Sequence, residues 1–206
     1  MDDPPLGAYW GEKIMGLTIH YSFRARGTLQ DETVHRIVQR TARLAKEIGC
    51  PHVGKVLLAS DDDRTAPEFF DSAGRTPRRM FGGPGKWGWL VEVWPGEGSE
   101  PAMFGLIRHR PRIPGEFSRT RRPRWNSRWE LDAWCKTYYA AEHGLEHFVQ
   151  CHERVVQLLD LWRRAEVQVR VRDDGGFWKT RSREALAAQI GDHELFLKSG
   201  LQRLCT

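Results

Sequence analysis

The run Trp129-Glu-Leu-Asp-Ala-Trp-Cys-Lys-Thr-Tyr-Tyr139 decides the fold, because Trp129, Leu131, Ala133, Cys135, Thr137 and Tyr139 alternate with Glu130, Asp132, Trp134, Lys136 and Tyr138. A period of two marks a strand that buries one face. Beyond it, Leu145, Phe148, Val149, His152, Val155, Val156, Leu159 and Trp162 recur at three- and four-residue intervals, which draws a single stripe along a helix. Val167, Val169 and Val171 then alternate with Gln168, Arg170 and Arg172, a second one-sided strand. A long helix with one apolar stripe has to lie across a sheet, so 129–172 reads as strand, helix, strand.

Working outward, Leu17, Ile19, Tyr21 and Phe23 alternate with Thr18, His20, Ser22 and Arg24 and predict a first strand. Thr28 with Asp31 three residues on offers a helix start, and Val34, Ile37, Val38, Thr41, Leu44, Ala45 and Ile48 form a stripe that stops at Gly49. Val53 to Ala59 reads as a short strand. Trp87 to Trp94 and Ala102 to Ile107 read as a hairpin turning through Pro95-Gly-Glu-Gly98. Asp173-Asp-Gly-Gly176 is a turn, with Phe177 and Trp178 returning as a short strand, and Ser182 caps a last helix whose stripe is Leu186, Ile190, His193 and Leu197.

Two strand-helix-strand units split by a hairpin predict an α+β fold, with an antiparallel or mixed sheet and helices packed on one face, ferredoxin-like and elaborated by the central hairpin. Four strands each keep one polar side, whereas a sheet covered on both faces would read as continuous apolar runs. The expected organisation is an arm over 1–14 and one domain over 15–206, with irregular loops at 64–85 and 108–128.

Composition sets limits on the function classes. The chain of 206 residues is 40% hydrophobic with nine Trp and nine Phe, ample for one core, and its mean hydropathy of -0.58 reflects a charged surface. No apolar run approaches the roughly 20 residues that span a bilayer, so a soluble, cytoplasmic protein without a membrane partner is expected. Cys50, Cys135, Cys151 and Cys205 show no paired spacing and read as free thiols, most of them buried. The net charge of +5 is local: Arg108 to Arg128 carries eight Arg and one Glu, or +7, which leaves -2 for the rest.

The segments Met15-Gly-Leu-Thr-Ile-His-Tyr21, Trp94-Pro-Gly-Glu-Gly-Ser-Glu-Pro-Ala-Met-Phe-Gly-Leu106 and Cys135-Lys-Thr-Tyr-Tyr-Ala140 resemble motifs of a group of uncharacterised bacterial proteins. That resemblance implies a bacterial, stand-alone protein and carries over no catalytic residue.

Three constellations are candidates for chemistry. In the basic loop, Arg119, Arg121, Arg122, Arg124 and Arg128 interleave with Phe117, Trp125 and Trp129. Guanidinium groups neutralise phosphates and aromatic rings stack on bases, so Arg119, Arg121, Arg122, Arg124, Trp125 and Arg128 form the candidate ligand-binding set; an extended, solvated loop has the same composition. The polar side of the sheet would gather Glu92, Asp132, Lys136 and His20; in a hydrolase of a phosphate-bearing substrate the carboxylates would bind Mg²⁺, or a carboxylate and His20 would serve as base and orienter. A solvated, ion-paired outer face is the plainer account. His143, His147 and Cys151 recur at four-residue steps, yet His147 and Cys151 fall on the flank of the apolar stripe and His143 precedes Gly144, before the helix, so no metal site is assigned and no cofactor is specified. His152 lies within the stripe and reads as a core histidine held by one hydrogen bond.

The leading expectation is a binding protein for an anionic partner, possible single-stranded nucleic acid included, acting through the Arg-rich loop. Two alternatives remain open: the hydrolase just described, and a subunit of an assembly or homo-oligomer docked through Trp94 and Trp134.

Overall fold

The computed structural model describes residues 17–25, 29–59, 69–70, 77–78, 86–109, 128–165 and 167–190. In chain order, β1 (Thr18–Ala25) is followed by α1 (Asp31–Glu47), then by the short strands β2 (His52–Val53), β3 (Leu57–Ala59), β4 (Phe69–Phe70) and β5 (Pro77–Arg78). Next come the hairpin β6 (Lys86–Trp94) and β7 (Ala102–His109), β8 (Trp129–Lys136), a 3-10 turn (Tyr138–His143), α2 (Leu145–Arg163), β9 (Gln168–Asp173) and α3 (Phe177–Thr180). A last helical stretch, α4, covers 183–190.

β2 and β3 pair one after the other along the same edge of β6, and the sheet continues β7, β8, β1, β9, a total of seven strands. Every described pairing in it is antiparallel. β4 and β5 pair with each other inside the 64–85 segment as a separate ribbon. The chain is therefore α+β, as the one-sided strands require.

One face of the sheet is sealed by the helices. Phe23 of β1 stacks on Trp162 of α2 with ring centroids 4.4 Å apart, and Trp89 of β6 stacks on His35 of α1 at 4.0 Å. Tyr21, Phe23 and Phe104 form an aromatic row beneath them, and the Tyr21 hydroxyl donates to the Met103 carbonyl at 2.8 Å. α1 brings Val34, Val38, Thr41 and Ala45 to this layer, and α2 brings Phe148, Val149, Cys151, His152, Val155, Val156, Leu158, Leu159 and Trp162. The fold is held mainly by this apolar burial rather than by surface ion pairs.

Several local features differ from the sequence reading. The Val53 to Ala59 strand is broken in two, and between the pieces the Gly54 N–H still donates to the Glu92 carbonyl of β6 at 2.8 Å. Phe177 and Trp178 belong to a helical turn and not to a strand. The cause is Asp173, whose carboxylate accepts the N–H groups of Gly175 and Trp178 at 2.9 and 2.7 Å and coils the chain there. The first helix begins after Gln30 with no side-chain cap; Thr28 lies outside the described residues, and Asp31 spends its carboxylate on Trp87 and Arg108 instead. Ser182 does cap α4, accepting the Ala185 N–H at 3.0 Å. The 1–14 arm lies outside the described residues, and β7 runs on through Arg108 and His109.

Candidate functional site

The sheet face turned away from α1 and α2 is built by register. His20 stands opposite Trp134 on one side and Arg172 on the other; Ser22 is flanked by Asp132 and Arg170, Arg24 by Glu130 and Gln168, and Thr18 faces Lys136. The pairings Ile107 with Glu130 and Glu92 with Met103 extend this same face to β7 and β6. Glu92, His20, Asp132 and Lys136 therefore share one side of the sheet.

They do not converge. Asp132 and Lys136 lie four residues apart on β8, about 13 Å along an extended strand, with Trp134 between them. Asp132 is held by Arg24 through two bonds of 2.9 and 2.7 Å, and Glu130 stands 3.7 Å from the same guanidinium. His20 faces Asp174 at 4.0 Å, while Arg172 reaches that carboxylate at 3.3 Å. Glu92 is half-buried on β6, and burial raises its pKa, so this carboxyl keeps its proton to a higher pH than an exposed one. Among the described residues none of these four side chains bonds to another.

What the face does present is Trp134, 47% exposed in mid-sheet. The acids nearest it are engaged by Arg24 and Arg172, whereas Lys136 and Arg170 have no side-chain partner among the described residues. At the β6–β7 end the same face turns apolar and closed, with Leu90 and Ile107 buried. Trp94 is partly covered beside His52.

Most of the candidate ligand set, Arg119, Arg121, Arg122, Arg124 and Trp125, lies outside the described residues. Arg128 is exposed immediately before β8. Arg108 is anchored inward: it pairs with Asp31 and lies 4.2 Å over the Trp129 ring.

Two further groupings are internal. His152 is fully buried and bonds at both nitrogens, with Nδ1 2.9 Å from the Thr137 hydroxyl and Nε2 3.1 Å from the Asp173 carboxylate. Both ring nitrogens are thereby satisfied, with Nε2 donating to the Asp173 carboxylate. The three residue types are those of a hydrolytic relay, but Thr137 is itself fully buried, so no substrate reaches its hydroxyl and the assembly is structural. The sequence showed the histidine; its partners were hidden in a strand end and a turn.

The second grouping is a set of thiols. Cys50, Cys135 and Cys151 are free and buried, and Cys151 adds to the raised pKa values of Cys50 and Cys135. Burial is the larger cause, and pushes Cys50 and Cys151 up to about 11. His147 touches Cys151 at 3.5 Å and reaches the Glu97 carbonyl at 2.9 Å, which ties α2 to the β6–β7 turn. Among the described residues no group of three or more His, Cys, Asp and Glu side chains is placed to hold a metal ion. Nor is any described helix long and apolar enough to cross a membrane.

Comparison with family models, curated proteins and solved structures found no match to this chain.

Proposed function

We propose that this chain binds a phosphate-bearing polymer, single-stranded nucleic acid, on the open face of its sheet. The observation that carries the reading is Trp134, which offers an exposed ring in mid-sheet beside His20, with Arg172 one strand further on. Base–aromatic stacking tolerates any base, and cations around the ring hold the backbone. Lys136 and Arg170, without acid partners among the described residues, supply such cations. The Arg-rich segment supports the reading from sequence, since it leads straight into the strand that bears Trp134. Bacterial origin and a cytoplasmic setting belong to the same proposal. So does the ferredoxin-like class, supported by the neighbour order β9, β1, β8, β7 around two strand-helix-strand units.

The hydrolase reading rests on the raised pKa of Glu92 alone, since Asp132 is occupied by Arg24. Titration of a labelled single-stranded oligonucleotide at low salt separates the readings. Trp134→Ala weakens binding roughly tenfold if a base stacks there, and Arg170→Ala lowers the salt slope by about one. Absence of binding by the parent protein, or equal affinity in Trp134→Ala, overturns the proposal. If Trp134→Asp instead halves the particle mass in light scattering, the exposed ring is a subunit contact.

A further inference from the structure

We infer that the groove between α1 and α2, on the opposite side of the molecule from Trp134, is a site for a small anion bearing two or more linked phosphates. The groove has a volume of about 620 Å³, within the several-hundred-Å³ range of small-molecule sites. Arg36, Arg40 and Arg43 of α1 line it, and Arg164 closes it from the end of α2. None of these four guanidinium groups makes a side-chain hydrogen bond or ion pair among the described residues, although other surface arginines, such as Arg24, Arg181 and Arg183, are paired.

The lining acids do not neutralise them. Asp160 gives both carboxylate oxygens to Arg181, at 2.9 and 3.0 Å, with Arg163 a further 3.2 Å away. That leaves Glu47, at the rim in the last turn of α1, as the one lining carboxylate without a partner among the described residues. Four like charges around one concavity repel each other in the free protein, and a polyvalent anion relieves that repulsion.

Geometry narrows the ligand. Arg36, Arg40 and Arg43 are spaced by four and three residues, so they share one stripe of α1 and extend about 10 Å along its axis. Guanidinium groups set out along that span suit a chain of linked phosphates, whereas a single phosphate is met from both ends only when the side chains bend to one point. The guanidinium fork matches phosphate oxygens two at a time. Leu44 and Leu161 add apolar side chains to the lining.

The test uses the full chain and three probes at matched ionic strength: tripolyphosphate, ATP and inorganic monophosphate. Tripolyphosphate and ATP are expected to raise the thermal midpoint with increasing concentration, and monophosphate is not. In the Arg40→Ala/Arg43→Ala variant the dissociation constant for tripolyphosphate rises roughly tenfold or more; both sites are exposed and alanine suits a helix, so folding is kept. Tighter binding of ATP names a nucleotide as the source of the phosphates, and equal binding names an inorganic chain. The inference is overturned if the variant binds like the parent, if monophosphate acts equally well, or if a short polyglutamate stabilises the parent with the same dependence on Arg40. Trp134→Ala leaves this binding unchanged, so the result stands apart from that of the sheet face.

Discussion

His152 and Asp173 meet at 3.1 Å where their side chains are 0% and 2% exposed, and this contact joins the middle of α2 to the turn that ends β9. Burial alone would raise the pKa of Asp173. It is outweighed by the hydrogen bond and charge of His152 and by the N–H groups of Trp178 and Gly175, so the carboxyl sits below its ordinary value. A carboxyl depressed in the folded state adds stability above its unfolded pKa, and that contribution is lost as pH falls through the folded value.

Stability in urea should therefore be steady in neutral and mildly acidic solution and decline below about pH 4, the ordinary range for an aspartate. Asp173→Ala is expected to cost about 3 kcal/mol, because it strands a buried imidazole nitrogen and frees two N–H groups. Asp173→Asn keeps an acceptor oxygen and should cost less, while removing this group's share of the acid loss. An acid limb equally steep in Asp173→Asn would mean that other carboxyls set it.

The buried thiols make a second expectation. With Cys50 and Cys151 pushed up to about 11, roughly one thiol in a thousand is ionised at pH 8, and burial blocks access as well. Iodoacetamide applied to the folded protein should leave Cys50, Cys135 and Cys151 unmodified, and in denaturant it should label all three. Peptide mass mapping reads this directly; rapid native labelling of Cys151 would show that the β6–β7 turn opens away from α2.

These features were unequally legible in the sequence. Side-chain alternation is a local property, so β1, β8 and β9 declared which of their residues face the helices, and Glu92, His20, Asp132 and Lys136 were rightly expected on one side. Distance within that face is not local. It depends on pairings such as Ser22 with Asp132, across more than a hundred residues, and those pairings put Trp134 between Asp132 and Lys136 and gave Asp132 to Arg24. Phe177 and Trp178 misled because an apolar pair suits a strand, whereas their conformation is imposed by the preceding carboxylate of Asp173. The stripe Arg36, Arg40, Arg43 was present in the α1 period as well, but charges on a helix back resemble ordinary solvation until a second helix makes them walls of a groove.

The turn between β6 and β7 yields the sharpest packing prediction. Gly98 adopts φ +76 and comes so near Tyr139 that a side chain would meet its carbonyl oxygen, which fixes the turn over the 3-10 segment. Two residues earlier, a Cβ on Gly96 would lie 2.2 Å from the Cys151 sulfur and 3.1 Å from the His147 ring. Gly96→Ala must push the turn off α2 or displace that sulfur from a packed interior, at a cost of about 1–3 kcal/mol. Cys151→Ala removes the obstructing atom and leaves a small void, so combining it with Gly96→Ala fills that void. The double variant should be more stable than the sum of the single effects by about 1 kcal/mol, a coupling readable from denaturation midpoints in a four-protein cycle. Strict additivity would place the turn and the helix out of contact.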